Sequence, residues 1–446
     1  MPGRLEFDLG FGRTGRPRDG SEPMRLLVLG DFSGKAVAER PLLASRPTQR
    51  VNIDNLDDVV QRLLPRLRVP AGEIRFEQID DFHPDRLYAR LDLFQALRQA
   101  RAKPPAGSDE LLSRLLGKPT EPSAAPAAAA PASGLDALIH DIVAPHIVKD
   151  TAAQTKPYLA AVDAAIAEQM RTLLHDPAFQ SLEAAWRGVQ WLISSLELDE
   201  NLQLHLFDVT REELLADVVA AQGKLAQTGL CRALVDRWRN VPGGEGWSAL
   251  VGLIHFGPSD ADIGLLAALG LIASQAGGPL LAGADLTLAG DDASALAGWQ
   301  ALRRSEAAPW IGLAAPRVLL RLPYGKGSDP IEAFAFEEFV GPPVLEEFLW
   351  GNASLAMALL IGRAFTARGW DMEPGDEREI GDFPAYTFVR DGEREMQACG
   401  ERSLTESQIE TLLNAGLVPI ASRRDRNAVV AIRFQSVSDP SAPLAW

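Results

Sequence analysis

The chain has 446 residues, a formal net charge of −16, 46% hydrophobic and 23% charged residues, and two cysteines. That length suggests roughly two to four domains at about 150 residues each, with apolar content enough for real cores. The acidity argues against a general binder of nucleic acid or anionic membranes, though not against a local basic patch; Cys231 and Cys399 supply neither a disulfide framework nor a cysteine zinc site, which fits a reducing compartment.

The N-terminus has no apolar run of the secretory kind. Residues 1–23 read as a mobile arm with one alternating patch, Leu5-Glu6-Phe7-Asp8-Leu9, suited to an edge strand. Met24–Gly30 is an apolar strand closed by Gly30-Asp31-Phe32-Ser33-Gly34. Asn55–Leu64 reads as an Asn-capped helix, Ile74–Ile79 as a short strand, Pro84–Ala102 as one helix and Glu110–Leu116 as a short last helix. Residues 119–134 are Ala/Pro-rich, have nothing to bury and fit a linker. Residues 24–118 and 135–437 are therefore expected to fold separately, with 438–446 a tail.

In the second part, Leu135–Val148, Pro157–Leu174 and Ala178–Leu196 show helical spacing. Leu202–Phe207, Leu250–Phe256, Gly278–Ala284, Val318–Leu322, Thr387–Val389, Glu395–Ala398, Val418–Ala421 and Ala428–Phe434 read as strands. Helices are expected at Arg211–Gln227, from Ala261, at Val344–Ala367 and at Glu406–Ala415. Ile263–Ala284 is uncharged and long enough to span a bilayer, but Gly277-Gly278-Pro279 breaks it, so a buried helix followed by a buried strand is expected. The alternation predicts a mixed α/β (α+β) fold, a small α/β domain joined to a larger mixed-sheet domain.

The stretch Pro316–Asn352 joins an apolar strand to a Gly-rich loop with four acids (Asp329, Glu332, Glu337, Glu338) and three phenylalanines (Phe334, Phe336, Phe339). It is the place where a site or a subunit contact would be sought. Gly30–Ala36 fails the phosphate-loop pattern, because three residues stand between its glycines and Ala36 follows Lys35; it reads as a turn. The six histidines make no i, i+4 metal pair, and no Gly-x-Ser-x-Gly elbow is present. Asp57-Asp58 and Asp80-Asp81 read as capping or solvated acids. Phe179, Leu182, Trp186 and Val189 share a helix face and read as core, with Arg187 and Glu183 paired on the flank. No catalytic, cofactor or metal constellation emerges.

Two parts of the chain resemble a known pair of proteins. Leu29–Gly34 with Gly30, Asp31, Phe32 and Gly34, then Ile53–Val59, then Asp80–Asp85 with Asp81, Phe82 and Pro84, are similar to the small contractile-sheath subunit of bacterial type VI secretion systems (TssB/VipA). Leu174–Glu183 with Trp186, Arg187 and Gly188, then Pro316–Glu338 with Arg321, Pro323, Tyr324 and Gly325, then Trp350, Gly351 and Asn352, Gly369-Trp370 and Gly416–Pro419 resemble the large subunit (TssC/VipB). The resemblance implies a non-enzymatic cytoplasmic bacterial protein that uses no cofactor and neither inserts in a membrane nor binds nucleic acid. It implies partners: other sheath subunits, an inner-tube protein, the baseplate and a sheath-recycling ATPase. Here the two subunits stand in one chain, and the family's further C-terminal domain is expected to be missing after Trp446. The segment Leu135–Lys149, which resembles the ATPase-binding region, is internal. Three readings follow: a fused sheath protomer; a cap, nucleator or baseplate-associated regulator that does not polymerise alone; or a hydrolase using Glu332, Glu337 or Glu338. In the first, Leu5, Phe7 and Leu9 belong to a donated strand.

Overall fold

The structure, a computed structural model, describes residues 20, 22–69, 72–102, 155–290 and 296–446, with side chains left aside at 155–157. In chain order its strands are β1 (Met24–Gly30), β2 (Gln49–Val51), β3 (Arg66–Val69), β4 (Gly72–Arg75), β5 (Leu202–Asp208), β6 (Ala249–Phe256), β7 (Leu280–Ala284) and β8 (Ile311–Ala315). They continue as β9 (Val318–Leu319), β10 (Trp350–Gly351), β11 (Glu379–Ile380), β12 (Tyr386–Arg390), β13 (Glu393–Gln397), β14 (Val418–Ser422) and β15 (Val429–Ala431). The main helices are α1 (Leu56–Leu63), α2 (Pro84–Arg90), α3 (Asp92–Ala102), α4 (Thr155–Leu174) and α5 (Pro177–Ser195). After them come α6 (Arg211–Ala220), α7 (Asp260–Ala276), α8 (Ala297–Arg303), α9 (Ala353–Arg368) and α10 (Glu406–Asn414).

Two compact units result. The first comprises Met1–Pro65, Ser181–Leu322 and Val344–Trp446; the second comprises Arg66–Gln180 and Pro323–Pro343. The mixed α/β fold expected from the alternation is the one observed.

The first unit is built on a nine-stranded sheet in the order β11-β15-β14-β8-β7-β6-β1-β5-β2. Its six central strands, β14 to β5, run parallel, and the edge strands β2, β15 and β11 pair antiparallel. A parallel strand buried on both faces must be apolar along its whole length rather than alternating. Every residue of β1, β5, β7 and β8 is buried accordingly. Leu27, Leu29, Leu250, Leu280, Ile311 and Leu313 pack with Leu266, Leu269 and Ile272 of α7 on one face. On the other, Ser354 Oγ of α9 donates to the Gly252 carbonyl, and Gly312 lies against Met357. α7 and α9 are buried nearly all round, which explains their lack of an amphipathic stripe. Asp260–Ala276 followed by Leu280–Ala284 is the expected buried helix and strand. Among the described residues no helix is long and apolar enough to cross a membrane.

The second unit holds the β3–β4 hairpin, α2, α3, α4 and the loop Pro323–Pro343. Its interior is aromatic. Phe76 stacks on Phe82 with centroids 4.1 Å apart, and Phe179 meets Phe82 edge-on at 5.7 Å.

Several expectations are corrected. The segments on either side of the Ala/Pro stretch do not fold separately: β1, from the first segment, is an interior strand between β5 and β6 of the second. A strand buried in someone else's sheet has the same sequence as one buried in its own. Pro84–Ala102 is two helices, because Leu91 adopts an extended conformation that lets the Tyr88 ring meet Phe94 at 5.7 Å. Val344–Ala367 is not one helix. Trp350-Gly351 pairs with β9, and the Asn352 side chain caps a helix starting at Ala353 by accepting from the Ser354 N–H. The Asn55 side chain does not cap α1; it accepts from the Asn52 N–H. Arg211–Gln227 stays α-helical only to Ala220, and the strand from Val318 ends at Leu319. The arm with Leu5, Phe7 and Leu9, the helix at Glu110–Leu116, the linker, the helix at Leu135–Val148, His140 and His146 lie outside the described residues.

Candidate functional site

In the first unit the turn after β1 is the best-tied loop. Asp31 Oδ1 accepts from the Gly34 N–H, and Gly34 sits at φ +59°, where a side chain would be strained. Asp208, at the end of β5, accepts from the Phe32 and Ser33 N–H groups at 2.9 and 3.0 Å and from Ser33 Oγ at 2.7 Å. Arg40 spans Asp31 (2.6 Å) and Asp208 (3.0 Å), and Arg46 makes a two-point pair with Glu213 at 2.7 and 3.1 Å. Burial raises the Asp31 carboxyl above its ordinary range, and Arg40 only partly offsets that. Glu213 also closes the capping box of α6 with Thr210. Gly30–Lys35 is thus a turn built around carboxylates. It offers no phosphate cradle.

Trp186 ties α5 to this turn. Its Nε1 donates to the Phe32 carbonyl at 2.9 Å, and the two rings meet edge-on at 5.4 Å. One turn earlier, Glu183 is fully buried between two guanidinium groups: Arg187 Nε at 2.6 Å and Arg321 Nε at 3.0 Å. Gly188 has no room for a side chain, since a Cβ there would meet buried Leu355 at 2.5 Å. Arg317 makes a two-point pair with Glu401 at 2.9 and 2.8 Å. Burial opposes ionisation of Glu401, but the Arg317 pair overrides it and holds the carboxyl below its ordinary range. Asn352, besides capping α9, donates from Nδ2 to the Ile254 carbonyl at 3.0 Å.

In the second unit the loop is closed on itself. Glu338 is buried and accepts from the Tyr324 N–H at 2.7 Å, while its own N–H donates to the Tyr324 carbonyl at 2.8 Å. Gly325 faces the Glu337 carboxylate, so a Cβ there would require that exposed side chain to shift. Glu337 Oε1 accepts from the Lys326 N–H, and Asp85 accepts from the N–H groups of Glu332 and Ala333. Phe334 packs on Tyr88 at 4.7 Å, and the Tyr324 ring meets His83 edge-on at 5.0 Å. Asp81 caps its own turn by accepting from the Glu77 N–H at 2.7 Å and pairs with Arg90 at 2.5 Å.

The three acids that a hydrolase would use, Glu332, Glu337 and Glu338, stand in different surroundings. Glu337 and Glu338 take up loop N–H groups, and Glu332 is exposed. No group of three or more His, Cys, Asp or Glu side chains able to hold a metal occurs among the described residues. Of the motif residues, Gly30, Asp31, Phe32, Gly34, Trp186, Arg187, Gly188, Arg321, Trp350, Gly351 and Asn352 lie in the first unit; Asp81, Phe82, Pro84, Pro323, Tyr324 and Gly325 lie in the second. Sequence reasoning missed Arg40, Arg46, Asp208 and Glu213. They are scattered over 174 positions, and only the pairing of β1 with β5 brings Asp208 to the turn.

A chain that directs its charged and aromatic motif residues into turn closure, caps and buried pairs has the character of a structural α/β component. Residues 156–438 match the VipB family, the EvpB tail sheath N-terminal domain, and residues 12–111 match the type VI secretion system VipA family. The chain therefore belongs to the VipB tail sheath family and carries a VipA domain in the same polypeptide. The type VI secretion system sheath protein TssC1 of Pseudomonas aeruginosa is 30% identical over 318 residues, which is 66% of this chain and 64% of TssC1. A chain of the anti-feeding prophage baseplate, determined by cryo-EM, is similar over 57% of this chain and 51% of its own length, with 16% identity and a TM-score of 0.31.

Proposed function

We propose that this protein is a structural protomer of a type VI secretion contractile sheath, with the small and large subunits working as one polypeptide. The observation that carries the reading is the place of β1. It belongs to the VipA match, yet it lies between two strands of the VipB match in a continuous parallel sheet. A sheet with strands from both matches ties the two segments by backbone hydrogen bonds, which suits it to transmit force between neighbours.

In this role the protein acts by contacts with other sheath subunits around an inner tube, starting from a baseplate, and contraction is a rigid-body change between alternative interfaces with no chemical step. A recycling ATPase would be a further partner. Leu5–Leu9 would serve as a strand donated to a neighbour's sheet edge, where backbone groups are satisfied and alternation sets the register.

Negative-stain electron microscopy of the protein expressed alone tests the proposal, with and without residues 1–10. Long tubules from the full chain, lost on deletion while the thermal unfolding midpoint is unchanged, are expected. Monomers or small rings that attach only to the ends of a pre-formed sheath would instead favour a cap, nucleator or baseplate-associated regulator.

A further inference from the structure

The start of α9 is held by one side chain that bonds in three directions. Asn352 is buried, and its Oδ1 accepts from the Ser354 N–H at 2.9 Å. Its Nδ2 donates to the Ile254 carbonyl at 3.0 Å and meets His255 Nδ1 at 3.3 Å. Two of these partners are backbone groups of fixed polarity. The Ser354 N–H can only donate and the Ile254 carbonyl can only accept, so they orient the amide without help from the imidazole. The NH2 group therefore faces His255. Nδ1 must be the accepting nitrogen of a neutral ring whose proton sits on Nε2.

His255 is paired with Gly283 across β6 and β7, and a Cβ on that glycine would come within 2.7 Å of the ring and 2.8 Å of Asn352 Nδ2. The bare glycine is what lets both side chains lie there. The charged groups around the ring come from three further segments: Asp285 after β7, Arg317 between β8 and β9, and Glu401 beyond β13. Desolvation lowers the His255 pKa below its ordinary value; Arg317 adds to the shift, and the two carboxylates oppose it. The residue keeps contact with solvent, so protons reach the ring.

Protonation reverses the polarity of this contact. With a hydrogen on Nδ1, two N–H donors face each other. Turning the amide over gives no relief, because Oδ1 would then face the Ile254 carbonyl and the NH2 group would face the Ser354 N–H. Asn352 has to withdraw, and both backbone groups lose their partner together.

We infer that His255 and Asn352 form an acid-sensitive latch on the first turn of α9, closed while the imidazole is neutral and opened when it takes up a proton. The closed form binds the proton more weakly than the open form, so its advantage is full above the open-form pKa and is lost as pH falls through the closed-form value. The latch lies directly after the pairing of Trp350-Gly351 with β9, at the entry to a helix that is buried nearly all round. It needs a single copy of the chain and goes beyond the sheath reading without depending on it.

The test combines two mass-spectrometric readouts on the full-length protein. Exchange of the imidazole C2 hydrogen gives the titration midpoint of His255. Amide exchange of residues 352–358, corrected for the intrinsic effect of pH and divided by that of β6, reports the latch. The wild-type midpoint is expected below 6.5, and α9 exchange should quicken at least threefold between pH 6.5 and 4. Asn352→Asp should lift the midpoint above 6.5, since a carboxylate there accepts from a protonated Nδ1. His255→Gln offers Asn352 an amide oxygen at every pH and should abolish the acid quickening. A wild-type midpoint at or above 6.5, no rise in Asn352→Asp, or quickening that survives in His255→Gln would overturn the inference.

Discussion

The two units handle buried polar groups in opposite ways. In the first, full charges are buried and matched: Glu183 between Arg187 and Arg321, and Asp208 and Glu213 against Arg40 and Arg46. In the second, the interior is a stack of rings, and its buried carboxylates, Glu338 and Asp81, close turns by accepting backbone N–H groups. The contrast follows from what each has to specify. The first unit places a strand from residues 24–30 among strands more than 170 positions later. Apolar strands slide past one another at little cost, whereas a buried ion pair is satisfied in one register only. The second unit is assembled around shape, and aromatic contacts are attractive over a range of offsets.

The largest break in that comparison is Glu183→Ala. It leaves Arg321 without its buried carboxylate and should cost about 3–5 kcal/mol, read as a drop in the urea midpoint. Arg321→Glu should do at least as much, because it puts two carboxylates together. Adding Arg321→Met to Glu183→Ala should recover part of the loss, since removing the second charge ends the penalty.

Phe82→Ala in the second unit should cost about 3–5 kcal/mol through the cavity left beside Phe76 and Phe179. Its signature differs from that of Glu183→Ala. Amide exchange should accelerate in residues 66–102 and 155–180 and stay slow in β1, β5 and β6. Uniform acceleration would show that the two units unfold together.

A pH series gives the smallest effect and concerns His205 in β5. Its ring lies edge-on to Trp238 and Trp247 at 5.6 and 5.2 Å. Burial lowers its pKa to about 4 from the ordinary 6.5, and Arg25 and Arg50 add to the shift. A folded-state pKa below the unfolded one means that the unfolded chain takes up the proton first. Stability should therefore be full above pH 6.5, fall as pH drops towards 4, and level off below that, by up to about 3 kcal/mol in all. His205→Gln should flatten this part of the profile in urea titrations at pH 7, 6 and 5. An unchanged slope would place the titration elsewhere.

How much was legible follows from range. The buried helix and strand at Asp260–Ala284, the strands β1, β5 and β6, and the core face of Trp186 were readable because composition and spacing within ten or twenty residues decide them. The pairing of Glu183 with Arg187 was readable for the same reason, being one helical turn apart. Its second partner, Arg321, is 138 positions away. The strand at Trp350-Gly351 was not readable, because it exists to make a distant contact, Gly351 beside Val318; the break at Leu91 was not readable because the apolar spacing runs on across it in helical register.

The sequence by itself determined which segments are buried, which turns are forced by glycine, and, through ordered motifs, the sheath family. Tertiary structure alone decided that β1 lies inside the sheet of the later segment. The physical reason is that a strand buried on both faces and apolar at all but Arg25 carries little face preference and little to label its neighbour. Its position is set by backbone pairing with β5 and β6, by the Asp208 bonds to the Phe32 and Ser33 N–H groups, and by the Trp186 bond to the Phe32 carbonyl.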